Sequence, residues 1–341
     1  MLVKSSNIMS EKNKVIIVTG PTATGKTALA IDLAEQFSGE IISIDSRQVY
    51  RGLDIGSGKD LDEYCRNGKM IPYHLLDITD PSHEYNLMEY CRDAATALKQ
   101  IVNNSHLPIF CGGTALYLNA LLAGYTLPGP PPDQELRNAL RGKSAGELAA
   151  LLKQADLGAY EKLKDKANPT RLLRALEMSN GQVKQVEPIS AAIEPLVIGV
   201  YYHRRDVHRR IEARLDARLA SGMIAEVEQL HRDGLTWERL EFFGLEYRYI
   251  ALHLQGQLSL SEMREKLFIK IRQFAKRQDI WFRKLEREGL KIYWLDEAHR
   301  QDAAQLVEMF LASRTLPAPA LSIKDIHYGP VTSRAAVPTP K

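Results

Sequence analysis

The sequence predicts an α/β fold, a parallel sheet flanked by helices and interrupted by a helical insertion. Three observations carry this. Short apolar, β-branched runs alternate with helical periodicity, the pattern of a parallel sheet covered on both faces. A G-x-x-x-x-G-K-T stretch, Gly20 to Thr27, joins the first run to the first helix. Beyond a Pro/Gly break at Leu127 to Pro132, the stretch Asp133 to Gly181 is rich in Ala, Leu and Lys and holds no convincing strand.

Taken in order, Lys14 to Thr19 (KVIIVT) reads as a buried strand, and an amphipathic helix follows from Thr27 to about Phe37. Glu40 to Asp45 (EIISID) is a second buried strand. Tyr85 to Asn103 is helix-like and precedes a third strand, Leu107 to Cys111, after which Gly112-Gly113 turns the chain into another helix. Strand character returns at Ile193 to Tyr202. Arg204 to His231 reads as one long helix and Ser261 to Arg287 as another; Leu290 to Leu295 is a last strand and Asp302 to Ala312 a last helix. The chain is thus organised as a first part of the core at 14–130, a helical insertion domain at 131–190, core completion with basic helices at 191–313, and a tail at 314–341. The tail is rich in Pro, Ala and Ser, and disorder is expected there. No internal repeat is visible.

At 341 residues and 45% hydrophobic content, the chain can bury one sizeable core and a smaller second unit. A charged fraction of 26% excludes a disordered polyelectrolyte, and a net charge of +3 names no partner by itself. Cys65, Cys91 and Cys111 lie far apart without metal-ligand spacing, which points to free thiols in a reducing cytoplasm. No apolar run is long enough to cross a bilayer, so no membrane association is expected. Met1 to Lys14 is polar, lacks the apolar stretch of a signal peptide and reads as a short loose arm, with Met9 an alternative start.

The motif of Gly20, Pro21, Thr22, Ala23, Thr24, Gly25, Lys26 and Thr27 has strand before it and helix after it, which makes the core P-loop NTPase-like. Successive backbone N–H groups form a concave anion site, reinforced by the helix N-terminus. Lys26 supplies a point charge to phosphate oxygens, and the hydroxyl of Thr27 can ligate Mg²⁺. Such a cradle holds a diphosphate or polyphosphate and is blind to any base attached to it. Asp45, at the carboxyl end of the second strand, faces the edge where open α/β sheets bind ligands. It can serve as a base for an incoming nucleophile, or cap the following turn together with Ser46.

The later helices are basic. Arg210, Arg214 and Arg218 recur every four residues and share one helix face. Arg272, Lys276 and Arg283 mix with Phe274, Trp281 and Phe282, a combination that suits phosphates and unstacked bases. The competing reading is a solvated charged face, with Glu212, Asp216 and Glu226 pairing locally and Trp281 and Phe282 in the core.

Assembled in order, GPTATGKT, SIDSRQVYRGLDIG, YHLLDITDP, GGTALYLNALLAG, NPTRLLRALEM, RRIEARLDARLASGMIAEV and KRQDIWFR resemble the tRNA dimethylallyltransferases, also called isopentenyltransferases. The resemblance runs from about Val15 to Leu295. It implies a P-loop α/β core with a helical insertion, Mg²⁺ as cofactor, dimethylallyl diphosphate as donor, and N6 of the adenosine 3′ of the anticodon in tRNA as acceptor. Carried over by motif, Asp45 is the general base, Thr22 to Thr27 hold the diphosphate, Arg210 binds the leaving diphosphate, and Thr114 lines the channel between donor and adenosine. Asp45, Ser46, Arg47 and Gln48, then Thr170, Arg171 and Arg174, then Lys276, Arg277, Gln278, Trp281 and Arg283 fall on segments that contact the anticodon stem-loop. With the resemblance, RNA contact is the favoured reading of the basic helices. The target adenosine must leave its stack to reach Asp45, so a channel is expected, and the enzyme is expected to act as a monomer.

Some stretches depart from the family's commonest pattern. Phe243-Gly244-Leu245-Glu246-Tyr247-Arg248 stands where many members have a Gly-Tyr-Lys/Arg turn. Ser57-Gly58-Lys59-Asp60, Tyr73 before His74, and Ala115 in place of Gly also differ. Three other functions fit parts of the sequence: a small-molecule P-loop kinase, a prenyltransferase using free adenine nucleotide, and an RNA-binding protein with a vestigial cradle. The absence of an Arg-rich lid argues against the first, the helical insertion against the second, and intact Lys26, Thr27 and Asp45 against the third.

Overall fold

The computed structural model describes residues 12–122, 133–180, 189–297 and 299–326. The Leu127 to Pro132 break, Gly181 and the tail from 327 on lie outside the described residues, as does the arm up to 11. The chain divides into two compact units, one made of Met1–Leu118 and Ala192–Lys341, the other of Asn119–Ala191. The second unit therefore begins earlier than the sequence-based boundary at 131.

In the first unit, β1 (Asn13–Thr19), α1 (Lys26–Phe37) and β2 (Gly39–Ile44) follow one another directly. A small hairpin of β3 (Cys65–Arg66) and β4 (Lys69–Met70), then β5 (Tyr73–His74), precede α2 (Leu87–Asn103) and β6 (Leu107–Gly112); α3 (Ala115–Leu122) carries the chain from the first unit into the second. The second unit is helical: α4 (Gln134–Ala139), α5 (Ala145–Ala155), α6 (Leu157–Lys162) and α7 (Pro169–Asn180). The first unit resumes with β7 (Ile193–Val200), α8 (Arg204–Ala220), α9 (Met223–Arg232), α10 (Trp237–Phe242), α11 (Leu245–Leu254), α12 (Leu260–Arg287), β8 (Tyr293–Leu295) and α13 (Asp302–Leu311).

The main sheet has six strands in the order β5-β2-β6-β1-β7-β8, and every pairing in it is parallel. Residues Val15, Ile16, Ile17 and Val18 are all fully buried. Four consecutive buried positions mean that β1 is covered on both faces, as parallel strands require. One core packs α1 and α13 against the sheet through Leu29, Leu33, Ile41, Ile109, Val307 and Phe310. A second joins the chain after β2 to the later helices through Tyr50, Leu53, Ile211, Leu215, Tyr247 and Leu267.

The single long helix predicted over Arg204 to His231 is two helices. Apolar spacing runs through the join, but Gly222 sits at φ 98° and turns the chain between α8 and α9. The expectation of disorder fails for 314–326. Ile323 is buried, Tyr293 donates to the Pro317 carbonyl at 3.1 Å, and the Lys324 amide donates to Glu286 on α12 at 2.8 Å. Composition alone could not reveal that this Pro-rich strap has a docking surface. Within the second unit, Leu148, Leu152, Leu172 and Leu176 form the core. Among the described residues, no helix is long and apolar enough to cross a membrane.

Candidate active site

The carboxyl ends of β1, β2 and β6 converge on one cavity. After β1, the loop Gly20 to Gly25 leads into α1, whose N-terminus has no side-chain cap; Gly25 stands before it at φ 80°. Its first N–H groups are left for an anion. Lys26 Nζ donates to the Pro21 carbonyl at 2.8 Å, and the Thr24 hydroxyl donates to the same oxygen at 2.9 Å. Burial pushes the Lys26 ammonium down to about 8, with repulsion from Arg214 in the same direction and Cys111 and Asp45 opposing.

Asp45 follows β2. Its Oδ1 accepts from the Arg47 and Gln48 amides at 2.8 and 3.4 Å, so one carboxylate oxygen caps the turn. The residue also lines the cavity, so the capping and chemical readings are compatible. Thr114 follows β6, and its hydroxyl oxygen accepts from the Ser46 amide at 3.2 Å. Gln48 is held by the Ser43 hydroxyl at 2.9 Å and itself donates to the Gly58 carbonyl at 2.8 Å.

The cavity has a volume of about 420 Å³ and is lined by Lys26, Thr27, Asp45, Thr114, Gln278 and Trp281, among others. On the other side of the loop lies a more open hollow of about 930 Å³, bordered by Gly25, Arg210 and Arg300. Lys26, Thr27, Arg214 and Arg218 border both. Arg210 Nε donates to the Ala23 carbonyl at 2.8 Å, and its guanidinium lies 4.4 Å from the centroid of the Tyr202 ring. Arg300 Nη2 reaches the Gly25 carbonyl at 3.4 Å.

The sequence-selected nucleic-acid residues separate into groups. Lys276 and Arg277 are exposed on α12, and Arg277 lies over the Phe274 ring. Arg47 is half-buried over Phe242. Trp281 lies on the cavity wall, whereas Phe282 is fully buried. Two residues have a different place from the expected one. Gln278 is buried and acts as a strut: its Oε1 accepts from the Thr22 amide at 2.9 Å and its Nε2 donates to the Gly113 carbonyl at 3.0 Å. Arg283 is turned inward, pairs with Asp279 at 2.9 Å and donates to the Ile326 carbonyl at 2.6 Å. Thr170 and Arg171 are exposed at the start of α7 in the second unit. Arg174 there pairs with the buried Glu177 at 2.9 Å, as Arg137 does at 2.6 Å.

The acids that the competing reading paired locally do otherwise. Glu212 and Asp216 both reach across to Arg264 on α12, at 3.2 and 2.7 Å. Glu226 accepts from the backbone amides of Asp54, Ile55 and Gly56 at 3.0, 2.6 and 3.0 Å, and from the Tyr247 hydroxyl at 2.9 Å. It fixes the loop after β2 that borders the cavity. Lys59 secures the same loop through Asp54, Asp77 and the Tyr50 carbonyl. Sequence reading missed the Glu226 contacts because the loop amides lie more than a hundred residues away in the chain. It also missed Arg300, which no motif singles out.

Residues 48–285 match the family model described as IPP transferase, and 13–71 match the one described as isopentenyl transferase. The chain belongs to the IPP transferase family. A relative named tRNA dimethylallyltransferase 1 from Syntrophus aciditrophicus is 46% identical over 84% of this chain and 94% of its own length. One named tRNA dimethylallyltransferase 2 from Trichlorobacter lovleyi is 45% identical over 85% and 94%. Among solved structures, a eukaryotic dimethylallyltransferase acting on tRNA aligns with a TM-score of 0.72 at 25% identity, covering 89% of this chain and 81% of that one. The tRNA isopentenylpyrophosphate transferase of Bacillus halodurans aligns with a TM-score of 0.64 at 29% identity, covering 89% and 98%. The family thus shares the parallel sheet and flanking helices described above.

Proposed function

We propose that this IPP transferase family member moves a dimethylallyl group from dimethylallyl diphosphate to N6 of the adenosine 3′ of the anticodon in tRNA. The observation that carries the proposal is the shared border of two hollows. One holds the carboxylate Asp45 and the other the cation Arg210, with Lys26 and Thr27 between them. The donor's diphosphate lies on the loop amides, Lys26 and Arg210, and its allyl group points toward Asp45. The adenosine enters from the side of Trp281. The names of the relatives, tRNA dimethylallyltransferases, support tRNA as the acceptor.

In the reaction the allylic C–O bond breaks, its electron pair leaves with the diphosphate, and N6 forms the new C–N bond. The N6 proton passes to the Asp45 carboxylate. Lys26, Arg210 and the loop amides stand where negative charge grows, so they stabilise the transition state more than the bound donor. Among the described residues no cluster of three or more His, Cys, Asp or Glu could hold a metal. The Thr27 hydroxyl, which borders both hollows beside Lys26, is a hard oxygen donor that fits Mg²⁺ and would hold it, since Mg²⁺ keeps waters and binds through substrate phosphates with few protein oxygens. When bound, Mg²⁺ neutralises charge on the leaving diphosphate. Ser46, Gln48, Thr170, Arg171, Arg174, Lys276 and Arg277 contact the anticodon stem-loop, with Arg47 beside the entering base. The enzyme acts as a monomer in the cytoplasm, a compartment its three free thiols suit.

The test is incubation with Mg²⁺, labelled dimethylallyl diphosphate and unmodified tRNA carrying adenosines at the anticodon edge, beside tubes with AMP and with ATP alone. Label in tRNA, lost when the target adenosine is replaced, is the expected result. Label in AMP would move the activity to free nucleotides, and ATP consumption without transfer would leave the cradle but remove the prenyl reaction.

A further inference from the structure

We propose that Arg218 is a further diphosphate-binding residue, placed where the leaving group parts from the allyl carbon, and that Glu246 positions it. This rests on the reading above, that the cradle holds an allylic diphosphate.

Arg218 lies on α8 with only 13% of its side chain exposed, and it borders both hollows. Its Nη2 is buried and has no hydrogen-bond partner. The carboxylate Asp60 is 3.6 Å away, but Arg214 already holds the same oxygen at 2.9 Å. A guanidinium placed in this way is stripped of water without a full set of acceptors, which is costly unless an anion completes it. Lys26 and Arg214 stand on the same border. A diphosphate brings several acceptor oxygens and the opposite charge to that point.

Gly58 and Glu246, both in stretches that depart from the commonest pattern, line the same cavity as this side chain. A Cβ on Gly58 would overlap the Arg218 guanidinium and come within 2.5 Å of Arg214 Nη2, so the cations lie against bare backbone there. Glu246, in the turn where many members carry Lys or Arg, borders the same cavity. Burial pushes its carboxyl up, while Arg218 and Arg214 draw it back down. Glu246 and Arg218 also border one smaller hollow beside Thr22, Ala23 and Met223, so a carboxylate at 246 attracts the guanidinium where a cation would repel it. The positive charge comes from α8, and Gly58 makes room for it.

The experiment compares the native protein with Arg218→Gln, Arg218→Lys and Glu246→Gln. Steady-state kinetics vary dimethylallyl diphosphate and tRNA separately, and calorimetry measures Mg²⁺-pyrophosphate binding. For Arg218→Gln, both the donor KM and the pyrophosphate Kd should rise about ten- to a hundred-fold. The tRNA KM should stay within about twofold. Arg218→Lys should recover part of the loss, and Glu246→Gln should raise the donor KM about three- to ten-fold. Unchanged pyrophosphate binding in Arg218→Gln would overturn the proposal. So would equal rises in both KM values with a lowered Tm in both Arg218 variants, since that marks a structural role. If the native protein transferred no prenyl group to any acceptor, the functional reading would fail. The pyrophosphate comparison would still decide the place of Arg218.

Discussion

The two ends of the strands solve opposite problems. At the amino-terminal end, Glu40 at the start of β2 is buried and held on both oxygens, by His106 at 2.5 Å and His74 at 2.6 Å. Its polar atoms are matched and water has little access. At the carboxyl end, the same strands release loops around a cavity in which Lys26, Arg214 and Arg218 crowd one another and the N-terminus of α1 goes uncapped. The first arrangement stabilises the fold. The second gives up stability to leave donors unmatched, and on the function proposed above those donors receive the diphosphate. The difference shows that parallel strands alone do not make a site: what matters is which end leaves its polar groups unsatisfied.

The sharpest way to break this comparison is at the carboxyl end. Asp45→Ala should lower prenyl transfer about a hundred- to ten-thousand-fold while tRNA affinity, measured by filter binding, changes little. Unimpaired turnover would remove Asp45 as the base. At the amino end, Glu40→Gln should cost about 1–3 kcal/mol in denaturant unfolding and leave both KM values alone. Burial by itself would push the Glu40 carboxyl up, but the hydrogen bonds from His106 and His74 hold it below its ordinary value of 4.5. A carboxylate lowered in the folded state contributes stability that is full above its unfolded pKa and is lost as pH falls through the folded one. The gap between native protein and variant should therefore be widest near neutrality and close in acid.

Gln278 blurs the division, because it is a buried strut that also lines the cavity. Gln278→Ala should cost about 1–3 kcal/mol and also weaken pyrophosphate binding; an effect on only one of the two would assign it to that side. The mildest test is pH. Lys26 is lowered to about 8, so the empty cradle loses that charge as pH rises through 8. Pyrophosphate affinity should then fall by up to about tenfold per pH unit, and binding there should take up a proton. Lys26→Met should flatten the profile.

Much of this was legible in the chain. The motif Gly20 to Thr27 needs only local sequence, since strand, turn and helix N-terminus are all within a few residues of one another. Asp45 was legible for the same reason, being the last residue of an apolar run. Arg283 and Gln278 were not, because a polar residue on a long helix faces solvent or a strut according to what packs on it. Arg283 meets the strap at Ile326, and Gln278 meets Thr22 and Gly113. The break at Gly222 was hidden because apolar spacing continues across it. The Glu226 clamp had no signal at all, since its partners are backbone amides more than a hundred residues away.

The sequence by itself determined the class of fold, the glycine-rich loop between β1 and α1 and the family, because each is written in short-range patterns of apolar period, glycine and charge. The tertiary structure alone decided which charges were matched. Glu212 and Asp216 found Arg264, Arg214 took the oxygen of Asp60, and Arg218 was left with a buried Nη2 that makes no hydrogen bond and stands 3.6 Å from that same oxygen. The physical reason is that electrostatic compensation depends on distance and burial, and neither is a property of position along the chain.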